Sequence, residues 1–189
     1  IDDLTEDQRE TAFKNGKDQL GFTILRIQVD PDKNNWSREL DTAKAAQKEG
    51  ALIFASPWNP PANICETFNH NGNTNAKRLR HDKYAEYAAH LNDFVSYMRE
   101  NGIELYAISI QNEPDYADEW TWWSTEEIMD FILNYSDAID CRIMTPEAFQ
   151  YRKEFYTEIL NNKDALSKVD IFGTHFYGTQ KKDMSFPLF

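Results

Sequence analysis

Short apolar runs alternate with longer stretches of helical periodicity along this chain. Gly21 to Val29 (GFTILRIQV), Ala51 to Ala55 (ALIFA), Leu105 to Ile110, Cys141 to Met144 and Val169 to Thr174 (VDIFGT) are short and β-prone. Most are apolar on both faces, the pattern of strands buried in a parallel sheet. Helical patterns fall between them. Trp36 to Glu49 carries Leu40, Ala43 and Gln47 at helical spacing and stops at Gly50. From Asp82 to Asn101, Tyr84, Tyr87, Ala88, Leu91, Phe94, Val95 and Met98 share one face, and Gly102 ends the helix. Ser124-Thr125-Glu126-Glu127 opens a helix running to about Ile139 with a capping-type sequence. Pro146 to Asn161 reads as a further helix with proline in its first turn, which makes Glu147 an ordinary helix-start residue. The first twenty residues read as one helix, and Pro57 to Arg80 as a long polar loop.

Strands alternating with helices predict an α/β fold with a parallel sheet. A polar, aromatic loop follows each strand, which favours a (β/α)8 barrel over an open sheet. No Gly-x-Gly-x-x-Gly follows any strand, so a dinucleotide cofactor is not expected. Five strands and 189 residues fall short of the eight strands and ~250 residues of a whole barrel. The expectation is a partial barrel holding about strands 2 to 6, a single incomplete domain over 1–189, with apolar edges exposed on its first and last strands.

If these are barrel strands, their C-terminal ends share one rim, where barrel enzymes place their chemistry. The third strand ends in Gln111-Asn112-Glu113-Pro114, delivering an acid to its tip. Glu113 is the candidate general acid/base, since glycosidic cleavage needs a carboxyl to assist the leaving oxygen and a second carboxylate opposite it. Asn112 either contacts a sugar hydroxyl or forms the turn before proline. Trp58, between prolines, and Tyr116 are candidate stacking platforms. His175 and Tyr177 lie two apart and share a side, lining a cleft or packing in the core. Arg26 interrupts an apolar strand, where an unpaired charge is costly, so a carboxylate inside the barrel is expected to pair with it. Of Trp120, Trp122 and Trp123, one is expected to reach the cleft while the rest pack; Lys77, Arg78 and Arg80 read as solvated surface.

Composition narrows the partners. Aromatic residues make up 14% of the chain and the net charge is −12. That charge argues against nucleic acid and anionic membranes, and no apolar run approaches the ~20 residues of a spanning helix. Two cysteines, Cys65 and Cys141, form no disulfide framework and no metal spacing; they are expected as free thiols. The opening Ile1-Asp2-Asp3, without initiator Met, reads as a processed, trimmed or excised start.

Six segments carry a resemblance: ILRIQVD at 24–30, FASPWNPPANICETFN at 54–69, LYAISIQNEPDY at 105–116, WTWW at 120–123, MTPEAFQY at 144–151 and THFYGTQ at 174–180. Together they resemble glycoside hydrolase family 30, most closely its bacterial glucuronoxylanase branch. The resemblance implies a retaining, metal-free and cofactor-free enzyme, secreted and monomeric when complete, that cleaves β-1,4-xylan internally. It implies Glu113 as acid/base, Asn112 as a 2-hydroxyl contact, Trp58, Tyr116, His175 and Tyr177 as substrate-binding, and Arg26 as the arginine that orients the nucleophile. The family's nucleophile, at the end of the seventh barrel strand, and its glucuronate-reading arginine are expected outside residues 1–189, which leaves this polypeptide alone inactive. A glucosylceramidase-like or other β-glycosidase of the same family, and a noncatalytic carbohydrate-binding barrel, are the alternatives.

Overall fold

Five parallel strands in sequential order carry the fold of the computed structural model, which describes residues 4–151 and 153–180. They are β1 (Ile24–Val29), β2 (Leu52–Pro57), β5 (Ala107–Ser109), β7 (Ile143–Ala148) and β8 (Ile171–Thr174). Each pairs with the next, β1 to β2 through β7 to β8. Helices fill the crossovers: α2 (Leu40–Lys48), α3 (Tyr84–Glu100), α4 (Thr125–Asn134), and α5 (Lys153–Asn161) with α6 (Lys163–Leu166). A short α1 (Glu6–Phe13), capped by Thr5, precedes them. This is the partial α/β barrel that the alternating pattern predicts. Neither β1 nor β8 has a second partner among the described residues, and Phe22, Ile24 and Leu52 lie exposed near the start of the sheet.

The helices form where the pattern places them because each has one apolar face to bury. In α3, Tyr87, Leu91, Phe94 and Met98 are completely buried and join Ile27, Val29, Ile53 and Ile108 of the strands in one core. Ser124 caps α4: its hydroxyl accepts from Glu127 N while the Glu127 carboxylate accepts from Ser124 N. Trp36 seals the β1–α2 turn, donating from Nε1 to the Asp30 carbonyl, and the Asp30 carboxylate accepts from Asp32 N. Cys65 and Cys141 are free thiols, and burial pushes both pKa values up to about 11.

The first twenty residues are not one helix, since α1 ends at Phe13 and Lys14 is already extended. Two further expectations need correction. Residues 57–80 are not a plain loop. They contain an antiparallel hairpin, β3 (Cys65–His70) and β4 (Asn73–Leu79), turned at Asn71 and Gly72 in left-handed backbone and joined in parallel by β6 (Thr121–Trp122). Charged and polar residues alternate through both strands with few apolar ones, so the hairpin lacks the strand signal of a buried sheet. Arg78 pairs across the hairpin with Glu66 at 2.7 Å, a surface ion pair.

The second correction concerns Pro146, which does not start a helix. β7 continues through Thr145, Pro146 and Glu147 to Ala148, and α5 runs over Lys153–Asn161. Pro146 sits opposite Gly173 and Ala148 opposite Thr174, so Glu147 is the extra residue of a β-bulge, with φ 54°. Proline is tolerated in a strand beside such a bulge, and a bulge re-aims the side chain it carries.

Truncating Phe94 to Ala removes a fully buried ring from the α3–sheet interface. It should cost about 3–5 kcal/mol and lower the urea midpoint of unfolding; an unchanged midpoint would mean α3 does not pack as described.

Candidate active site

The site begins with two glutamates in unusual backbone. Glu113 (φ 49°) follows β5 and Glu147 (φ 54°) is the bulged residue of β7. Left-handed backbone costs a non-glycine residue of order 1–3 kcal/mol and persists only where surrounding structure enforces it. Here the two positions hold each other, since Glu113 N donates to the Glu147 carbonyl at 3.0 Å. On the other side Asn112 N donates to the Pro57 carbonyl at 2.8 Å. The tip of β5 is thereby fixed between the ends of β2 and β7.

Both Glu113 oxygens are oriented. His175 Nδ1 lies 2.7 Å from Oε1, and Trp120 Nε1 donates to Oε2 at 2.8 Å. The opposite imidazole nitrogen, Nε2, lies 3.4 Å from Glu147 Oε1. That same oxygen takes the Arg26 guanidinium at 2.5 Å and the Ser56 hydroxyl at 3.1 Å. Glu147 Oε2 is buried without a hydrogen-bond partner among the described residues. Arg26 also donates to Asn112 Oδ1 at 2.5 Å and to Ser56 Oγ at 3.1 Å, and its guanidinium sits 4.4 Å from the centre of the Trp58 ring.

These contacts set the electrostatics. Burial works against a charged His175, but hydrogen bonds to Glu147 and Glu113 outweigh it and raise its pKa above the ordinary 6.5. The imidazolium then donates to both carboxylates. The Arg26 guanidinium also faces His175 and opposes that protonation.

Aromatic rings extend the rim. Tyr116 stacks on Phe149 with centroids 4.6 Å apart, and Phe149 stacks on Tyr177 at 5.4 Å. The edge of Tyr177 meets His175 at 5.7 Å. Trp120 meets Trp58 edge-on at 6.4 Å. The buried Gln111 side chain donates to the carbonyls of Trp58 and Asn112 and accepts from Trp123 Nε1, tying the Trp58 loop to the tip of β5.

The structure thus brings Arg26, Trp58, Asn112, Glu113 and His175 into one contact network and joins Tyr177 and, through Phe149, Tyr116 to it. The carboxylate expected for Arg26 is Glu147, a residue whose Pro-Glu context reads as a helix start. Phe149 and Gln111 are further members without a role in the motif reading; Trp120 is the member of its tryptophan cluster that reaches the cleft, as expected of one of the three, whereas Trp123 is buried against Tyr84 and Phe131. The one signal for Glu147 in the sequence was the lone arginine of β1, which required a buried partner. Among the described residues no cluster of His, Cys, Asp or Glu could hold a metal, and no helix is long and apolar enough to cross a membrane.

Paired carboxylates and aromatic rings at the C-terminal ends of barrel strands, with an arginine behind them in β1, are the arrangement of a carbohydrate-active barrel. Comparison with known proteins makes the assignment specific. Residues 19–133 match the glycosyl hydrolase family 30 TIM-barrel domain, and the chain belongs to that family. It is 60% identical over 189 residues to glucuronoxylanase XynC of Bacillus subtilis, covering all of this chain and 45% of that protein. The chain therefore spans under half the length of this curated relative. Among solved structures, a GH30 endoxylanase from Clostridium papyrosolvens C71 superposes with a TM-score of 0.88 at 46% identity, covering 95% of this chain and 48% of that one. The xylanase Xyn30A from Clostridium acetobutylicum gives 0.82 at 32% identity, over 94% and 47%.

Because His175 gains its carboxylate partners on folding, its contribution to stability is complete below its unfolded pKa, near ~6.5, and is lost as pH rises through the higher folded value. Replacing Glu147 by Gln should lower the His175 pKa in an NMR titration of the imidazole resonances and flatten that pH dependence. An unchanged pKa would contradict the shared-imidazole geometry.

Proposed function

We propose that this chain provides the acid/base side and much of the sugar cleft of a retaining endo-β-1,4-xylanase acting on glucuronoxylan. The observation that carries the reading is Glu113 at a strand tip with both oxygens oriented, ringed by Asn112, Trp58, Trp120 and His175 on one rim. Its relatives bear xylanase names, and the rim supplies what a glycosidic bond needs. Glu113 gives a proton to the departing oxygen and later takes one from water. Asn112, its Oδ1 held by Arg26, keeps its amide N–H groups for a sugar hydroxyl. Trp58, Tyr116 and Tyr177 offer ring faces and edges to the apolar sides of xylose units, and His175 orients Glu113. A polymer too large to enter a cell implies secretion.

Double displacement needs a second carboxylate at the sugar's opposite face, ~5–5.5 Å from the acid in retaining enzymes. Glu147 shares His175 with Glu113, but its charge is committed to Arg26. Glu147 acts here as a positioning residue, and the nucleophile is assigned outside residues 1–189. The competing reading, a sugar-binding barrel without chemistry, draws support from the fact that both Glu113 oxygens already have donors.

The 189-residue polypeptide should bind xylo-oligosaccharides without releasing reducing ends from glucuronoxylan. In an enzyme carrying this segment within a whole barrel, Glu113→Gln should slow turnover by about 10²–10⁴. Hydrolysis by the 189-residue chain alone, abolished by Glu113→Gln, would overturn the placement of the nucleophile. Full activity of Glu113→Gln in the whole barrel would overturn the catalytic reading and leave the binder.

A further inference from the structure

The surface hairpin β3–β4, absent from the strand pattern of the sequence, builds a second concavity beside the rim. Phe68 and His70 lie two apart on one face of β3, with centroids 5.7 Å apart. His70 lies over the Trp122 ring at 3.9 Å. These rings lead into a crevice of about 380 Å³ lined by His70, Asn73, Asp115, Tyr116, Asp118 and Trp122. Asn73 Nδ2 donates to the Ala117 carbonyl at 3.3 Å and faces Asp118 Oδ1 at 3.4 Å, fastening the hairpin to the loop after β5.

This crevice is continuous with the rim. Tyr116 lines it and also stacks on Phe149, the middle ring of the Tyr116–Phe149–Tyr177 series. Asp115 lines it and accepts from Phe149 N at 2.7 Å. The crevice and the rim therefore share Tyr116 and Asp115 as common residues. The lining combines three aromatic rings with the carboxylate of Asp118, which suits a polyhydroxylated ring with one apolar face.

We propose that the hairpin crevice is an additional subsite for a neutral, unbranched xylosyl segment of the polysaccharide. This rests on the xylan reading above and extends it to which part of the polymer lies where. The carboxylates of Asp115 and Asp118 repel a like-charged glucuronate, so branched residues are excluded from this position. Substrate specificity then has a component set by rejection at the hairpin, separate from any attraction at Glu113.

Calorimetric titration of the 189-residue chain tests this with linear xylotriose, linear xylohexaose and a glucuronate-bearing xylo-oligosaccharide. Xylohexaose should bind more tightly than xylotriose. Trp122→Ala and the surface change His70→Ala should each weaken xylohexaose about 3- to 10-fold and leave xylotriose unchanged. Asp118→Asn should improve binding of the glucuronate-bearing ligand and not that of xylohexaose. Equal affinity for the two linear ligands, or xylohexaose binding indifferent to both ring substitutions, overturns the crevice proposal while the xylan reading stands. Failure of every xylo-oligosaccharide to bind overturns the xylan reading and this inference together.

Discussion

Arg26 and Glu147 form the ion pair on which the rim depends. Glu147 is nearly inaccessible to solvent and Arg26 only partly exposed, so removing Glu147 strands a largely covered guanidinium and removing Arg26 leaves the Glu147 charge to His175 alone. Its worth lies less in net stability than in direction. One guanidinium engages the Glu147 carboxylate, the Asn112 amide, the Ser56 hydroxyl and the Trp58 ring, and so locks groups from β1, β2 and the ends of β5 and β7 in one arrangement. Groups that must meet a substrate within tenths of an ångström need this kind of support.

The backbone serves the same end. Two glutamates at left-handed φ, one reaching the carbonyl of the other, are an unfavourable local conformation that the sheet maintains. The bulge at Glu147 turns its side chain toward Arg26 and His175 instead of leaving it in register with β8. His175, from the end of β8, then links the two acids, so groups from all five barrel strands depend on one another.

Much of this was legible in the residues. The order of the five barrel strands, the face of α3 and the α4 cap follow from apolar spacing and end signals, because local pattern and tertiary burial agree there. Glu113 was legible because an acid at an abrupt strand end is conspicuous. Glu147 was not: Pro-Glu satisfies the rules for a helix start equally well, and only the pairing of β7 with β8 decides between them. The hairpin escaped notice because its strands are solvated and polar, so no apolar alternation marks them. Phe149, and which of the three clustered tryptophans would face the cleft, were illegible for another reason. An aromatic near a strand end packs or faces a cleft depending on neighbours distant in sequence, and the Glu113–Trp120 bond and the Phe149 stack are visible only once β5, β7 and β8 are assembled.

The central claim is that Glu113 and the groups held by Arg26 receive a glycosidic bond. A crystal structure of the chain with a bound xylo-oligosaccharide tests it most directly. The account predicts a glycosidic oxygen within hydrogen-bond distance of a Glu113 oxygen, a hydroxyl on the Asn112 amide nitrogen, and the Arg26–Glu147 pair intact. A sugar bound elsewhere, with Glu113 still engaged solely by His175 and Trp120, would contradict it.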